Sequence, residues 1–389
     1  MVTKSECVLS LILALSCAAF AQKNVVCYYA SWATYRAGRG QFNVDDIDPN
    51  LCTHLAYAFF GLLENGTISI LDPWLDLDSG RGNIRLFNEL KNVNPSLKTL
   101  AAIGGYNQQS EIFSKVAANP ALRQAFAEDA RDFCLLHGFD GVDIGWEFPG
   151  QRGGDPVADR ENFVLMLADL KQVLSANGLI LTGALAAAQN IAETAYNIPL
   201  VSQHLDFINL MAYDFNGAWN SFTGHNSPLF AGPADSTDFQ RTLNVDHSVS
   251  YWLQQGAPAS KINLGVPHYG RTFTLENKAN HWLRANAIGP GSPGFYTQEE
   301  GALAYYEICE NFSSGSWAQF WDSDQKIPFG VINDQWIGYD NEETTTYKCN
   351  YILQHNLAGG MVWSMDQDDF RGNCGPKFAL LSALQSCLN

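Results

Sequence analysis

Acidic residues concentrate in one stretch of this 389-residue chain, FDGVDIGWEFPG at 139–150, which carries Asp140, Asp143 and Glu147. If the stretch is a β-strand, alternation sends Asp143, Gly145 and Glu147 to one face and Val142, Ile144 and Trp146 to the other. One face is then acidic and the other apolar, as expected of an inward-pointing catalytic row backed by a layer of helices. Its chemistry would be proton transfer by positioned carboxyls. Position 145, where a third acid could stand, is glycine.

A strand of this kind needs a scaffold, and the rest of the chain supplies one. Short apolar runs alternate with helical patterns from Asn24 onward, which is the signature of a parallel sheet with crossover helices. Strands are expected at 24–30, 53–60, 97–103, 139–146, 179–185, 205–212, 261–267 and 358–364. Eight such runs indicate an α/β fold, an eight-stranded β/α (TIM) barrel. Asn119 and Pro120 open a helix with Leu122, Phe126, Phe133 and Leu136 along one face, and Gly138 ends it. Phe163, Leu167, Leu170 and Leu174 mark the next helix, closed by Gly178. The connection from Pro267 to Gly359 is too long for one crossover helix. An α+β insertion domain over 269–336 accounts for it, with the barrel made of 22–268 and 337–389 and a helix over 342–355 leading into the last strand.

In such a barrel the C-terminal strand ends converge on one mouth, so acids and aromatics there read as a site. Glu147 ends the fourth strand, Tyr213 and Asp214 the sixth, and Trp363 the eighth, while Tyr28 and Trp32 lie at the first. Gly289, Gly291 and Gly294 formally match a dinucleotide-binding pattern, but Pro290, Pro293 and the lack of a preceding strand exclude it.

Composition narrows the partners. A net charge of −17 repels phosphate backbones and anionic lipid surfaces, so neither nucleic acid nor membrane is expected. A neutral or cationic ligand fits better. Lys4, the apolar run from Val8 to Phe20, and Ala19 and Ala21 form a secretory signal peptide over 1–21, so the protein is expected outside the cell. Seven cysteines remain beyond it, which implies disulfides and at least one unpaired thiol, and no Cys/His spacing suggests a metal. No cofactor is implied. Asn65-Gly66-Thr67 and Asn311-Phe312-Ser313 are glycosylation sequons.

The run FDGVDIGWEFPG resembles the DGxDxDxE signature of glycoside hydrolase family 18, the chitinases and chitinase-like lectins. The likeness extends over nearly the whole mature chain, through VCYYASWATYR, THLAYAFFG, AAIGGYN, INLMAYDFNGAW, GHNSPL, INLGVPHYGRTF, QWIGYD and GGMVWSMDQDDF. It implies a barrel with an α+β insertion after the seventh strand and chitin or chito-oligosaccharides as ligand; the protein itself is expected to be a monomer. It also implies a substrate-assisted retaining mechanism, in which the N-acetyl oxygen attacks the anomeric carbon. By this resemblance Glu147 is the acid, Asp143 its supporting aspartate, Tyr213 and Asp214 position the acetamido group, and Trp363 lies under the reacting sugar. Tyr28, Phe59, Tyr106, Met211, Trp219, Tyr269 and Arg271 match cleft residues. Cys27 with Cys52 and Cys309 with Cys374 match family disulfides; Cys134, Cys349 and Cys387 stay unassigned.

Two positions depart from the family pattern. Gly145 replaces the aspartate that bonds the acetamide N–H and shares a proton with Glu147, a loss expected to cost about 10²- to 10³-fold in rate. Asp143 is not expected to replace it, since same-face neighbours on a strand are about 7 Å apart. Without that anion the pKa of Glu147 should fall, leaving a poorer acid near neutral pH. Tyr106 stands where tryptophan is frequent and offers less stacking area. The intact Glu147, Tyr213, Asp214 and Trp363 favour weak hydrolysis, and Gly145 favours a non-catalytic lectin or signalling protein.

Overall fold

The computed structural model describes residues 22–389. The expected signal peptide lies outside them. Eight parallel strands form the barrel: Asn24–Ala30, His54–Leu62, Lys98–Gly104, Gly141–Gly145, Ile180–Ala186, Phe207–Met211, Ile262–Pro267 and Gly359–Trp363. The first strand pairs with both the second and the eighth, which closes the sheet. A two-residue strand, Ile68–Ser69, adds a short antiparallel hairpin to the second.

The closed sheet separates two cores. Outside it, the helix layer packs against Val142, Ile144 and Trp146, all fully buried. Inside it, small residues such as Ala56, Ala58, Ala102 and Ala184 pack with Tyr28, Tyr213, Tyr269 and Met361. Small side chains leave room at the barrel axis for buried polar groups, including Asp143, Thr182, Asn209 and Asn263.

The helices flanking the fourth strand begin as their caps dictate. The Asn119 side chain accepts from the amides of Ala121 and Leu122, Pro120 takes the first helical position, and Gly138 ends Pro120–His137 in the left-handed conformation. The buried face differs from the expected one at its end, because Leu136 is exposed while Phe126, Ala130 and Phe133 face the core. At about 100° per residue, Leu136 points some 80° away from Phe126. Asp159–Ser175 buries Phe163, Leu167, Leu170 and Leu174 as expected.

Between the seventh and eighth barrel strands stands a separate antiparallel sheet, built on Tyr269–Leu275 and including Gln335–Gly338, Ile327–Ile332 and Ala318–Asp322, with the helix Tyr305–Ser313. The helix Glu342–Gln354, capped by Asn341, then returns the chain to the barrel. Disulfides join Cys27 to Cys52, Cys309 to Cys374 and Cys349 to Cys387, and leave Cys134 as a buried thiol. No helix among the described residues is long and apolar enough to cross a membrane.

Candidate functional site

The three acids of the 139–150 stretch have three different fates. Asp140 precedes the fourth strand, at the end away from the mouth, and accepts bonds from Lys91 at 2.9 Å, Lys98 at 3.1 Å and the Thr99 amide at 2.9 Å. Asp143 is fully buried inside the barrel. Its Oδ2 accepts the Tyr28 hydroxyl at 2.6 Å, and its Oδ1 accepts the Thr182 hydroxyl at 2.6 Å and the Asn209 amide at 3.0 Å. Burial pushes its pKa upward against the pull of those three donors.

Glu147 lies two residues past the last paired residue of the strand, in the turn above it, rather than within the strand as alternation suggested. The ladder stops because the third strand also ends there, and the Gly105 amide donates to the Gly145 carbonyl at 2.8 Å. Burial, reinforced by the charge of Asp214 and opposed by Arg152, raises the Glu147 pKa from 4.5 to about 7. Desolvation therefore raises the Glu147 carboxyl even without an anion at position 145.

The gap at Gly145 is bounded by backbone. A Cβ there would meet the Gly105 nitrogen at 3.2 Å, the Ile103 carbonyl oxygen at 3.5 Å and the Gly105 Cα at 3.7 Å. The three nearest atoms are all backbone, and a Cβ there needs the Gly105 nitrogen to give by a few tenths of an ångström. Asp143 cannot turn toward the gap without abandoning its three donors.

The sixth strand brings the second half of the site. Met211 ends it, partly buried, and Tyr213 follows, with its hydroxyl only 3.8 Å from the weak acceptor Met361 Sδ. Asp214 has a left-handed backbone (φ 58°), and its own amide donates to Asn226 Oδ1 at 2.9 Å. Its Oδ1 accepts both the Tyr269 hydroxyl and Arg271 Nε at 2.7 Å. Both donors lie on the first strand of the inserted sheet, so the insert completes this wall. The Arg271 guanidinium also faces the exposed Trp219, 5.2 Å from the ring centre, and Glu299 at 3.8 Å.

The remaining aromatics form one surface. Trp363 lies near-parallel to Phe59 at 5.6 Å and contacts Tyr28 at 5.4 Å, and Trp32 continues the surface by stacking on Phe59 at 6.0 Å. Tyr106 is 65% exposed and stands at the rim beside Arg152, whose guanidinium carbon is 3.8 Å from the ring centre. All twelve residues singled out from the sequence thus lie in or directly beneath the mouth. Sequence reasoning missed Thr182 and Asn209, whose signal was a polar side chain at an inward position of an apolar strand. It also missed Arg152 and Glu299, for which loop sequence offered no signal.

A closed β/α barrel with an antiparallel insert here carries an acid and aromatic walls at the C-terminal strand ends, the face on which enzymes of this fold place their sites. A family model for glycosyl hydrolases family 18 matches residues 24–368, and the chain belongs to that family. Chitotriosidase-1 of Mus musculus is 40% identical over 376 residues, covering 94% of this chain and 78% of that protein. The Group IV chitinase of Ostrinia furnacalis, solved in complex with allosamidin, shares 42% identity with a TM-score of 0.92, over 94% of this chain and 98% of that one. Human YKL-39, described as a pseudo-chitinase with retained chitooligosaccharide binding properties, shares 34% identity with a TM-score of 0.87, over 94% and 99% of the two chains. Similar chains on this scaffold thus include ones named as chitinases and one described as a pseudo-chitinase.

Proposed function

We propose that this chain is a secreted, monomeric protein that binds chitin or chito-oligosaccharides along the barrel mouth and cleaves their β-1,4 linkages slowly, with retention of configuration. The carrying observation is Glu147, a carboxyl raised to about 7 by burial and by Asp214, positioned where the strand ends meet. At neutral pH about half of it holds a proton to give to a glycosidic oxygen, and the resulting carboxylate then takes one from water. Tyr213, whose hydroxyl has only a thioether partner, donates to the acetamido oxygen as that oxygen attacks the anomeric carbon. Asp214, fixed by Tyr269 and Arg271, faces the developing positive charge. Trp363 and Phe59 supply the flat floor on which the sugar stacks. Glycosylation at Asn65 and Asn311 belongs to the same reading, as both side chains are exposed.

The bare wall at Gly145 favours a second reading, a lectin without turnover, because the acetamide N–H meets no acceptor side chain there. Incubating the purified protein with a chito-oligosaccharide and analysing products over time separates the two, with Glu147→Gln as control. Turnover lost in the control supports the enzyme. Binding without products in either protein selects the lectin, and no binding at all rejects both.

A further inference from the structure

Arg152 touches Tyr106, one of the two departures from the family pattern, and the backbone of the acid Glu147. Its Nη1 donates to the Tyr106 carbonyl at 2.7 Å and to the Glu147 carbonyl at 3.1 Å, and its guanidinium covers one face of the Tyr106 ring. Tyr106 stays 65% exposed, so its other face is open. Arg152 itself sits in the left-handed region (φ 51°), a conformation that L-residues adopt only when their surroundings hold them. That hold comes from elsewhere in the loop. The Ser110 amide donates to the Arg152 carbonyl at 3.3 Å, and the buried Asp159 accepts from the Gly150 amide at 3.1 Å and the Asp155 amide at 2.8 Å. Removing the Arg152 side chain therefore leaves the loop anchored.

We infer that Arg152 is a positioning residue that links the Tyr106 stacking face to the backbone of Glu147, so that a sugar seated on Tyr106 is energetically coupled to the acid. This rests on the proposed oligosaccharide site. A guanidinium behind Tyr106 stiffens a ring smaller than tryptophan and holds it flat toward the cleft. Two hydrogen bonds from one nitrogen also tie the rim to the turn bearing the acid. The groups facing Glu147 are Asp214, Tyr213, Tyr196 and Arg152, and Arg152 is the only cation among them. Its charge therefore opposes burial and Asp214.

Two readouts test this independently. Calorimetry with hexa-N-acetylchitohexaose should show binding weakened about fivefold in Arg152→Ala, the size of an exposed cation–π contact with its hydrogen bond. The same change should add little in a Tyr106→Ala background. Separately, ¹³C-carboxyl NMR of glutamate-labelled protein, with Glu147 assigned through Glu147→Gln, should show Glu147 titrating at higher pH in Arg152→Ala. Arg152→Lys should restore that titration but not the binding, because it keeps the charge without the planar stack. The inference is overturned if Arg152→Ala leaves both readouts unchanged, or if it lowers the melting temperature while Lys restores neither. If wild type binds no oligosaccharide, the proposed function fails, whereas the NMR titration still decides whether Arg152 acts on Glu147.

Discussion

Asp143 and Glu147 are four residues apart in the chain, yet their carboxyl groups live under opposite regimes. Asp143, beneath the mouth, is surrounded by donors: a phenol, a threonine hydroxyl and a side-chain amide. Among the described residues no side chain donates to the Glu147 carboxyl, and burial leaves it partly protonated near neutrality. A carboxyl group held by three donors is fixed in place and organises its neighbours. One with none remains free to exchange a proton. Gly145 lies between the two in the chain and offers no side chain to either.

That contrast makes Glu147→Gln the most damaging change for turnover and a mild one for the fold. We expect product release to fall about 10³-fold, with oligosaccharide affinity within about threefold of wild type. An unchanged rate would place the acid elsewhere. Asp143→Ala should do the reverse to stability, stranding three buried donors and costing about 3 kcal/mol in urea unfolding. A loss under about 1 kcal/mol would show that the donor cage is not structural. Gly145→Asp should bridge the two regimes and raise turnover about 10²-fold, as one restored pre-organised group would. Gly145→Ala should bring no gain, which separates the carboxylate from mere filling of the gap.

The smallest effects concern pH. The folded pKa of Glu147 lies above its ordinary value of 4.5, at about 7, so folding favours its protonated form. Its contribution to stability is present in full below about 4.5 and is lost as pH rises through about 7. The melting temperature of wild type should therefore decline more across that window than that of Glu147→Gln. Turnover should fall on the alkaline side of about 7, as the acid loses its proton. A flat alkaline limb would mean that proton donation is not limiting.

The barrel was legible because its cues are local and repeated. Eight apolar runs between helical patterns located every barrel strand to within two residues at either end. Asn119, Pro120 and Gly138 marked one helix by chemistry that depends on no distant contact. The mouth was legible where acids and aromatics fall at strand ends, as with Glu147, Tyr213, Asp214 and Trp363. It was illegible where the role depends on which strands become neighbours. Thr182 and Asn209 carry no motif, and they matter only because closure of the barrel brings them to Asp143. The raised pKa of Glu147 has the same origin, since its desolvation is a property of the assembled mouth. The pairing of Cys349 with Cys387 likewise waits on the packing of two helices that no spacing rule brings together.

The Cys309–Cys374 disulfide bears on how a ligand arrives. It fastens the insert's helix to the chain that follows the eighth barrel strand, and Arg39, from the loop after the first strand, adds contacts to Glu310 and Tyr296. The wall carrying Tyr269 and Arg271 is therefore pinned on more than one side. For the proposed oligosaccharide ligand, a pinned wall makes capture a search for alignment, with release slowed most for the chains that reach furthest along the aromatic floor.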